Sequence, residues 1–406
     1  MNTLTEVVRE LSDHEGIIKT LSKKKAVSLS GCSDSQKINI AQGLSDGFKY
    51  KIIATYSDLR VKEIAEDLKI YGDNVLFYPA KDLIFYQADI HGNRLVSERL
   101  KVLKSLVTDT PFTVVTTFDA LMSPVLPIEH VAAGSISISK NGSIDTKKLA
   151  SDLVDIGYIR NYQVEEPGQF SVRGDIIDIF DTTETNPFRI ELWGDDVESL
   201  RSFDIDTQRS IEDLDSISIF PASEMILTKD MLNKGLEKIE KDRDRIYKSF
   251  RDDFKTEEAH RIDTQVKTLK EDLLELGRVV NLDSYASYFY DDMYQFIEMF
   301  DSDETVLIFD EPVQIADHAK AVELEFDESM KNRALKGYIL PGQMKLLYSA
   351  DQVRRGFEKY AVIQLSSLES RNLIVDAEYR CNITAKSIAP YKNLFEYLIK
   401  DLEFYR

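Results

Sequence analysis

The sequence predicts an α/β fold, in which helices cover a parallel sheet and a small α+β domain is inserted. Strand-like and helix-like segments alternate through the first part of the chain, as in βαβ units. After Leu126-Pro127 the segments become mostly strand-like and partly polar. The 406 residues, 43% of them apolar, are enough for about two to three domains with packed cores.

The alternating region predicts the parallel sheet. Strand-like apolar runs lie at residues 26–29, 51–54, 75–78 and 112–117. Helical periodicity separates them at residues 35–44, 57–68 and 94–107. In the last of these segments, apolar residues recur at a spacing that places them on one helix face: Val96, Leu100, Leu103 and Val107.

Residues 128–213 are the predicted insertion. Residues 135–139 alternate polar and apolar, Asp145 and Thr146 can cap a helix, and strand-like segments follow at 162–166, 170–180 and 188–193. We therefore expect a larger domain in two segments, 1–127 and 214–385. Residues 386–406 would begin a linker or a further module.

The second segment of the larger domain is expected to begin where residues 217–220 rejoin it. Further strands are expected at 306–309, 360–365 and 373–375, and charge-rich helices over 229–277. A helical pattern over 392–406 runs to the last residue without a cap, as expected of a chain cut from a longer protein.

Composition and charge narrow the function classes. The formal charge is −20, so the chain alone is not expected to bind duplex DNA non-specifically, and a basic protein surface is a more natural partner. Only Cys32 and Cys381 are present, which argues against a disulfide scaffold and a cysteine zinc site and favours the cytoplasm. No apolar run is long enough to span a membrane, and we expect no membrane partner.

Residues 31–38 resemble a damaged phosphate-binding loop. Such a loop reads G-x-x-x-x-G-K-[ST] between a strand and a helix, and Gly31 and Lys37 are in register with it. Gln36 replaces the second glycine, Ile38 replaces the hydroxyl that would bind Mg²⁺, and Asp34 adds a negative charge. These defects predict that nucleotide binding has been lost.

Asp310 and Glu311 end an apolar strand, where a nucleotide motor would hold Mg²⁺ and activate water. Without a hydroxyl at position 38 that metal lacks a usual ligand, so we expect a degenerate site with no metal and no bound cofactor. The five histidines show no metal-binding spacing, and no residue is singled out as catalytic. The alternative is a nucleotide-binding half-motor with weak ATPase activity that uses Lys37 and Asp310.

The strand at 188–193 has a period of two. Its apolar residues alternate with Arg189, Glu191 and Trp193, which therefore share the solvent side. Arg173 lies on a neighbouring predicted strand. Arg and Trp are enriched in binding hot spots, but a structural Arg–Glu pair with the indole covering a sheet edge explains the pattern equally well.

Two long runs in this block identify a resemblance, VEEPGQFSVRGDIIDIF at residues 164–180 and FRIELWGDDVESLRSFD at 188–204. Both are similar to the bacterial transcription-repair coupling factors (Mfd). Weaker, ordered similarity runs from the damaged loop through residues 78–80, 97–100 and 309–312. It covers nearly the whole chain but only the N-terminal third of the family's full-length protein.

The resemblance implies a degenerate RecA/UvrB-like motor domain with an inserted UvrA-binding domain. By motif, the family's contacts with UvrA fall on Arg173, Arg189 and Trp193, with Glu191 on the same face. Substituting either arginine should then abolish UvrA binding and leave the melting temperature nearly unchanged. The UvrB loop that inserts into damaged DNA is long and Tyr-rich, whereas residues 81–93 here are short, so damage verification is not expected.

The resemblance also implies the role of the whole protein. This chain would recruit UvrA, for nucleotide excision repair, to RNA polymerase stalled at DNA lesions. The full-length protein would be an ATP- and Mg-dependent DNA translocase that removes the polymerase. Modules outside this chain would contact RNA polymerase and DNA, and a C-terminal module could mask the UvrA surface.

Overall fold

Three β-sheets organise the computed structural model, which describes residues 3–11, 13–72, 74–81, 89–275, 282–383 and 395–405. The strands, numbered along the chain, are β1 (Ala26–Ser30), β2 (Tyr50–Thr55), β3 (Val75–Tyr78), β4 (Phe112–Thr117), β5 (Ile136–Ser139), β6 (Ile159–Arg160), β7 (Gln169–Arg173), β8 (Ile176–Ile179), β9 (Phe188–Trp193), β10 (Asp196–Phe203), β11 (Ser210–Asp213), β12 (Ser216–Ile219), β13 (Thr305–Asp310), β14 (Ala361–Leu365) and β15 (Tyr379–Asn382).

The helices flank these sheets. They are α1 (His14–Leu21), α2 (Asp34–Leu44), α3 (Asp58–Leu68), α4 (Asp89–Val107), α5 (Phe118–Met122), α6 (Ile128–Ala133), α7 (Thr146–Asp155), α8 (Lys229–Asp252), α9 (Thr256–Glu275), α10 (Ala286–Phe289), α11 (Pro312–Leu335), α12 (Ala350–Gly356) and α13 (Phe395–Tyr405). Short 3₁₀ segments lie at Thr3–Glu10, Lys69–Tyr71, Leu282–Tyr285, Phe296–Met299, Pro341–Lys345 and Phe357–Lys359. Within the described ranges, no helix combines the length and apolarity that crossing a membrane requires.

The largest sheet has seven strands in the order β15-β1-β14-β13-β2-β4-β3, and every neighbouring pair is parallel. Strands β1, β4, β13 and β14 are buried along their whole length, because helices cover both faces of a parallel sheet. Two apolar clusters lie against the sheet, one containing Ile52 and Phe309 and the other Val27 and Ile53. The predicted α/β parallel fold is therefore confirmed.

The second sheet has six strands in the order β11-β10-β9-β8-β7-β6, mostly antiparallel. Leu149 and Leu153 of α7 pack in one apolar cluster with Ile177 and Ile190 of this sheet. Asp145 caps α7 as predicted, since its carboxylate accepts the N–H groups of Lys147 and Lys148. We call residues 136–219 the small domain.

Residues 217–220 do not rejoin the larger domain as expected. Strand β12 pairs antiparallel with β5 of the small domain, and Ile217 and Ile219 are buried in that domain's apolar cluster. Phe220 is the first residue to pack instead against Leu100 and Leu103 of α4. The sequence of these residues carried no information on which sheet they would join.

Two other predicted strands are loops. Residues 162–166 are not a strand, because the N–H groups of Glu165 and Glu166 bond to the Gln169 side chain instead of a neighbouring strand. Residues 373–375 likewise lie outside the sheet, where the Gln364 side chain binds the backbone of Ile374 and Val375. Most of the short 81–93 segment, with Phe85 and Tyr86, lies outside the described residues.

A buried ion pair connects the larger domain to the end of the small domain. Arg99 of α4 donates Nε to Glu224 at 2.5 Å and Nη1 to the Pro79 carbonyl at 2.9 Å. Its guanidinium lies 4.1 Å from the centre of the Tyr78 ring, and Lys81 Nζ is 3.1 Å from Glu224. Contacts with α4 and with the end of β3 therefore fix the position of Glu224, where the chain leaves the small domain.

Candidate functional site

The degenerate loop follows β1 at the carboxyl end of the parallel sheet, where nucleotides bind in such folds. Gly31 has a φ of +79°, and a Cβ there would collide with the Ile383 carbonyl oxygen. The segment at Ile383 therefore approaches the loop so closely that only glycine fits at position 31. Ile38 is buried in the apolar cluster that also contains Leu29, so it contributes packing rather than a ligand.

Gln36 caps helix α2 at the position where a phosphate loop would have glycine. Its Oε1 accepts the Ser33 N–H and lies 3.0 Å from the Ser33 hydroxyl. A backbone donor that could point at a phosphate is therefore already bonded within the chain.

Lys37 is 1% exposed and is surrounded by carboxylates. Its Nζ lies 3.0 Å from Asp34, 3.3 Å from Asp310 and 2.5 Å from Glu311. Glu311 is held in turn by the N–H and hydroxyl of Ser367, at 2.8 and 2.7 Å. The structure thus brings Lys37, Asp310 and Glu311 together and pairs Lys37 with both carboxylates.

Arg60 completes this network, and sequence reasoning missed it. Its Nε donates to Asp310 at 2.8 Å, and its Nη2 lies 3.4 Å from Asp34. Thr55 at the end of β2 also donates to Asp310, at 3.1 Å. Nothing in the sequence around Arg60 marks it, because only the sheet order places β2 beside β13. We call Asp34, Lys37, Arg60, Asp310 and Glu311 the closed network.

Ion pairs and hydrogen bonds in the closed network favour the charged forms of Lys37 and Glu311. Burial alone would lower the pKa of Lys37, but the Asp310 charge and the hydrogen bonds to Glu311 and Asp34 raise it above its usual value. Burial would raise the pKa of Glu311, but hydrogen bonds from Lys37 and Ser367 hold it below its usual value. Three carboxylates then face two cations, so the network offers a phosphate group net repulsion.

The second candidate site is the solvent side of the six-stranded sheet. Strand β9 alternates as predicted, with Phe188, Ile190 and Leu192 buried, and Trp193 is 79% exposed. Arg173 on β7 points to the same side of the sheet, because the register pairs Arg173 with Ile176 and Ile176 with Glu191. We call Arg173, Arg189, Glu191 and Trp193 the outer face.

Asp178 on β8 organises the arginines of the outer face, and the sequence analysis did not name it. This carboxylate is 1% exposed and accepts Arg189 Nε and Nη2 at 2.6 and 2.9 Å, and Arg173 Nη2 at 2.6 Å. A charged residue within the apolar run 176–179 was the available signal, since a buried carboxylate needs a cation.

Arg189 is accordingly less accessible than expected. Its side chain is 13% exposed, it also donates to Gln208 at 2.8 Å, and its guanidinium lies 4.2 Å from the centre of the Phe203 ring. Arg173 is 32% exposed. The expectation that substituting Arg189 would leave the melting temperature nearly unchanged therefore has to be revised.

Glu191 is part of a second ion pair on the outer face. It accepts the Ser199 hydroxyl at 2.7 Å and Arg201 Nη2 at 2.5 Å. The Ser199 hydrogen bond, followed by Arg201, lowers the pKa of Glu191. The structural Arg–Glu pair that the sequence left open is thus present, but its arginine is Arg201, the cross-strand neighbour of Arg189.

Metal binding finds no support in the described ranges, where no group of three or more His, Cys, Asp or Glu side chains is arranged to hold an ion. Cys32 is buried, and burial raises the pKa of its thiol to about 11. Its chemistry is therefore that of a packed apolar side chain.

Two comparisons with known proteins find relatives of this chain. Residues 136–225 match the family described as the UvrB interaction domain, which spans the small domain and the Glu224 junction. The transcription-repair-coupling factor of Bacillus subtilis (strain 168) is 32% identical over 344 residues, covering 84% of this chain and 29% of the relative.

More distant relatives cover even more of the chain. The transcription-repair-coupling factor of Staphylococcus aureus (strain USA300) is 24% identical over 419 residues, 100% of this chain and 34% of the relative. The transcription-repair-coupling factor of Staphylococcus haemolyticus (strain JCSC1435) is 26% identical over 388 residues, which cover 93% of this chain and 32% of the relative. The chain spans about a third of the length of the curated relatives it matches. Over most of its length the chain is therefore homologous to transcription-repair-coupling factors, and its residues 136–225 match the UvrB interaction domain.

Proposed function

We propose that this chain acts in transcription-repair coupling by recruiting UvrA, and that the outer face is the surface that UvrA binds. Recruitment would bring nucleotide excision repair to RNA polymerase stalled at a lesion. The exposed Trp193 carries the proposal, because it lies on the same side of the sheet as Arg173 and Arg189, and Trp and Arg are the residues enriched in binding hot spots. The homology to the relatives supports a role in transcription-repair coupling, and the match to the UvrB interaction domain spans the strands that carry the outer face.

The chain itself is proposed to be non-catalytic. Lys37, which would bind the nucleotide phosphates in an intact loop, is buried among three carboxylates. ATP- and Mg-dependent DNA translocation and removal of the polymerase are proposed for the parts of the whole protein that this chain lacks, as are its contacts with RNA polymerase and DNA. A distal module could mask the outer face until the polymerase is engaged.

Binding of the full 406-residue chain to purified UvrA, measured by calorimetry, tests the proposal. Trp193→Ala should weaken binding by at least about thirtyfold, which corresponds to a hot spot of roughly 2 kcal/mol. The circular dichroism spectrum should stay unchanged, because Trp193 is exposed.

Phe254→Ala is the matched control, since Phe254 is even more exposed than Trp193 but lies between α8 and α9, away from the outer face. It should bind UvrA like the wild type. Absence of binding by the wild-type chain, or equal affinity of the Trp193→Ala variant, would contradict the proposal.

A further inference from the structure

Trp193 stands at a hairpin tip that is strongly acidic. It begins the turn between β9 and β10, and Gly194 takes a φ of +64° there. Trp193 and Asp196 are cross-strand partners, so their side chains lie on the same side of the sheet, and the exposed Asp195 stands between them. We call Trp193, Asp195, Asp196 and Asp175 of the adjoining β7–β8 turn the hairpin tip.

The backbone of the hairpin tip is fixed from both sides. The Leu192 N–H donates to the Asp175 carbonyl at 2.8 Å, which holds the β7–β8 turn against β9. On the other side, the Ile144 N–H donates to the Asp195 carbonyl at 2.7 Å. The indole is therefore presented on a rigid support, and little backbone entropy is lost when a partner binds it.

The charges of the outer face divide into paired and unpaired groups. Arg173, Arg189 and Arg201 all form ion pairs within the sheet. The carboxylates of the hairpin tip differ, because in the described part of the chain no ion pair involves any of them: Asp175, Asp195 and Asp196. The hairpin tip therefore presents unpaired carboxylates beside the indole of Trp193 to a partner.

We infer that the partner presents a lysine or arginine side chain to the hairpin tip, where its cation lies on the Trp193 indole and pairs with Asp195 and Asp196. Tryptophan is the best aromatic acceptor for a cation, and neighbouring carboxylates strengthen that attraction. The inference rests on the proposed function and assigns the chemistry of the UvrA surface that meets this end of the outer face. A partner carboxylate placed there would be repelled.

Graded substitutions in the full chain test this inference by calorimetry with UvrA. Trp193→Phe keeps a weaker cation–π acceptor, whereas Trp193→Leu keeps only apolar area. We expect Trp193→Phe to weaken binding a few-fold and Trp193→Leu about tenfold or more. The isosteric double variant Asp195→Asn/Asp196→Asn should also weaken binding several-fold.

The matched control is Asp252→Asn/Asp253→Asn at the exposed end of α8, which removes two charges elsewhere and should leave affinity unchanged. Equal affinity of the Phe and Leu variants, or unchanged binding of the Asp195→Asn/Asp196→Asn variant, would overturn the inference while the Trp193→Ala result still supports UvrA binding. Failure of the wild-type chain to bind UvrA would instead overturn the proposed function, and this inference with it.

Discussion

The closed network and the outer face are both built from arginine or lysine and carboxylates, yet they differ in what they leave available. In the closed network, Lys37 is almost fully buried and is paired with Asp34 of its own helix and with Asp310 and Glu311 at the end of β13. On the outer face, the ion pairs lie within one sheet, and Trp193 and the hairpin tip remain accessible. The same residue types thus stabilise the fold in one region and leave a surface for a partner in the other.

This contrast shows that the charged residues of a loop that resembles a damaged phosphate site can all be engaged in ion pairs within the fold. The side chains of the closed network hold opposite charges close together, and these charges are paired with one another. Because removing one member of a buried pair leaves the other uncompensated, such a network can be required for stability without having any ligand. If burial separates the two regions, substitutions in the closed network should cost more stability than substitutions at exposed positions.

The largest effect is expected from Lys37→Met. The substitution leaves Asp310 and Glu311 without their shared cation in a buried position, so the free energy of unfolding should fall by about 3–5 kcal/mol. Urea denaturation measures this loss. Lys69→Met is the control, because Lys69 is exposed and pairs only with Glu66 on the surface, where at most about 1 kcal/mol is expected. Similar losses for both variants would contradict the contrast.

A pH-dependent effect is expected at the junction between the domains. Arg99 and Lys81 overcome the burial of Glu224 and lower its pKa to about 2, below its unfolded-state value of 4.5. The stabilisation, about 3 kcal/mol, is therefore fully present above pH 4.5 and is lost as the pH falls towards 2. Glu224→Gln should be less stable than wild type at pH 7, and the difference should shrink on acidification.

Urea denaturation at pH 7, 4 and 3 measures this difference. Glu237→Gln, at an exposed position of α8, should behave like the wild type at each pH. A Glu224→Gln deficit that stays constant with pH would rule out the assigned shift in the pKa of Glu224.

A smaller effect separates the two arginines of the outer face. Arg189→Ala removes two bonds to the buried Asp178 and should lower the free energy of unfolding by roughly 2 kcal/mol. Arg173→Ala removes one bond at a more exposed position and should cost about 1 kcal/mol or less. Thermal unfolding of both variants measures which substitution destabilises the protein more. A larger loss for Arg173→Ala would show that Arg189 is not the main partner of the buried Asp178 carboxylate.

The smallest effect is expected from nucleotide. A chain that bound Mg-ATP with micromolar affinity would gain roughly 3–4 kcal/mol at millimolar nucleotide, which would raise the melting temperature by several degrees. We expect no shift, because Lys37 is already paired with three carboxylates. A saturable shift in the wild-type chain would instead favour the nucleotide-binding half-motor.

Local patterns in the sequence were enough for much of the fold and for part of the candidate site. Strand β3 has the predicted bounds, Asp145 caps its helix, and β9 buries the predicted side. These features follow from backbone geometry, since a period of two or 3.6 residues determines which side chains share a face. The defects at Gln36 and Ile38 could also be read directly from the motif.

Tertiary structure alone decided which distant groups meet. Lys37 and Glu311 are 274 positions apart. The register of β7, β8 and β9 places Arg173 and Arg189 within reach of Asp178. Strand β12 shows the same limit, because its sequence does not indicate that it pairs with β5. Residue spacing encodes a local repeat, whereas ion pairing and sheet membership depend on the order and register of strands far apart in the chain.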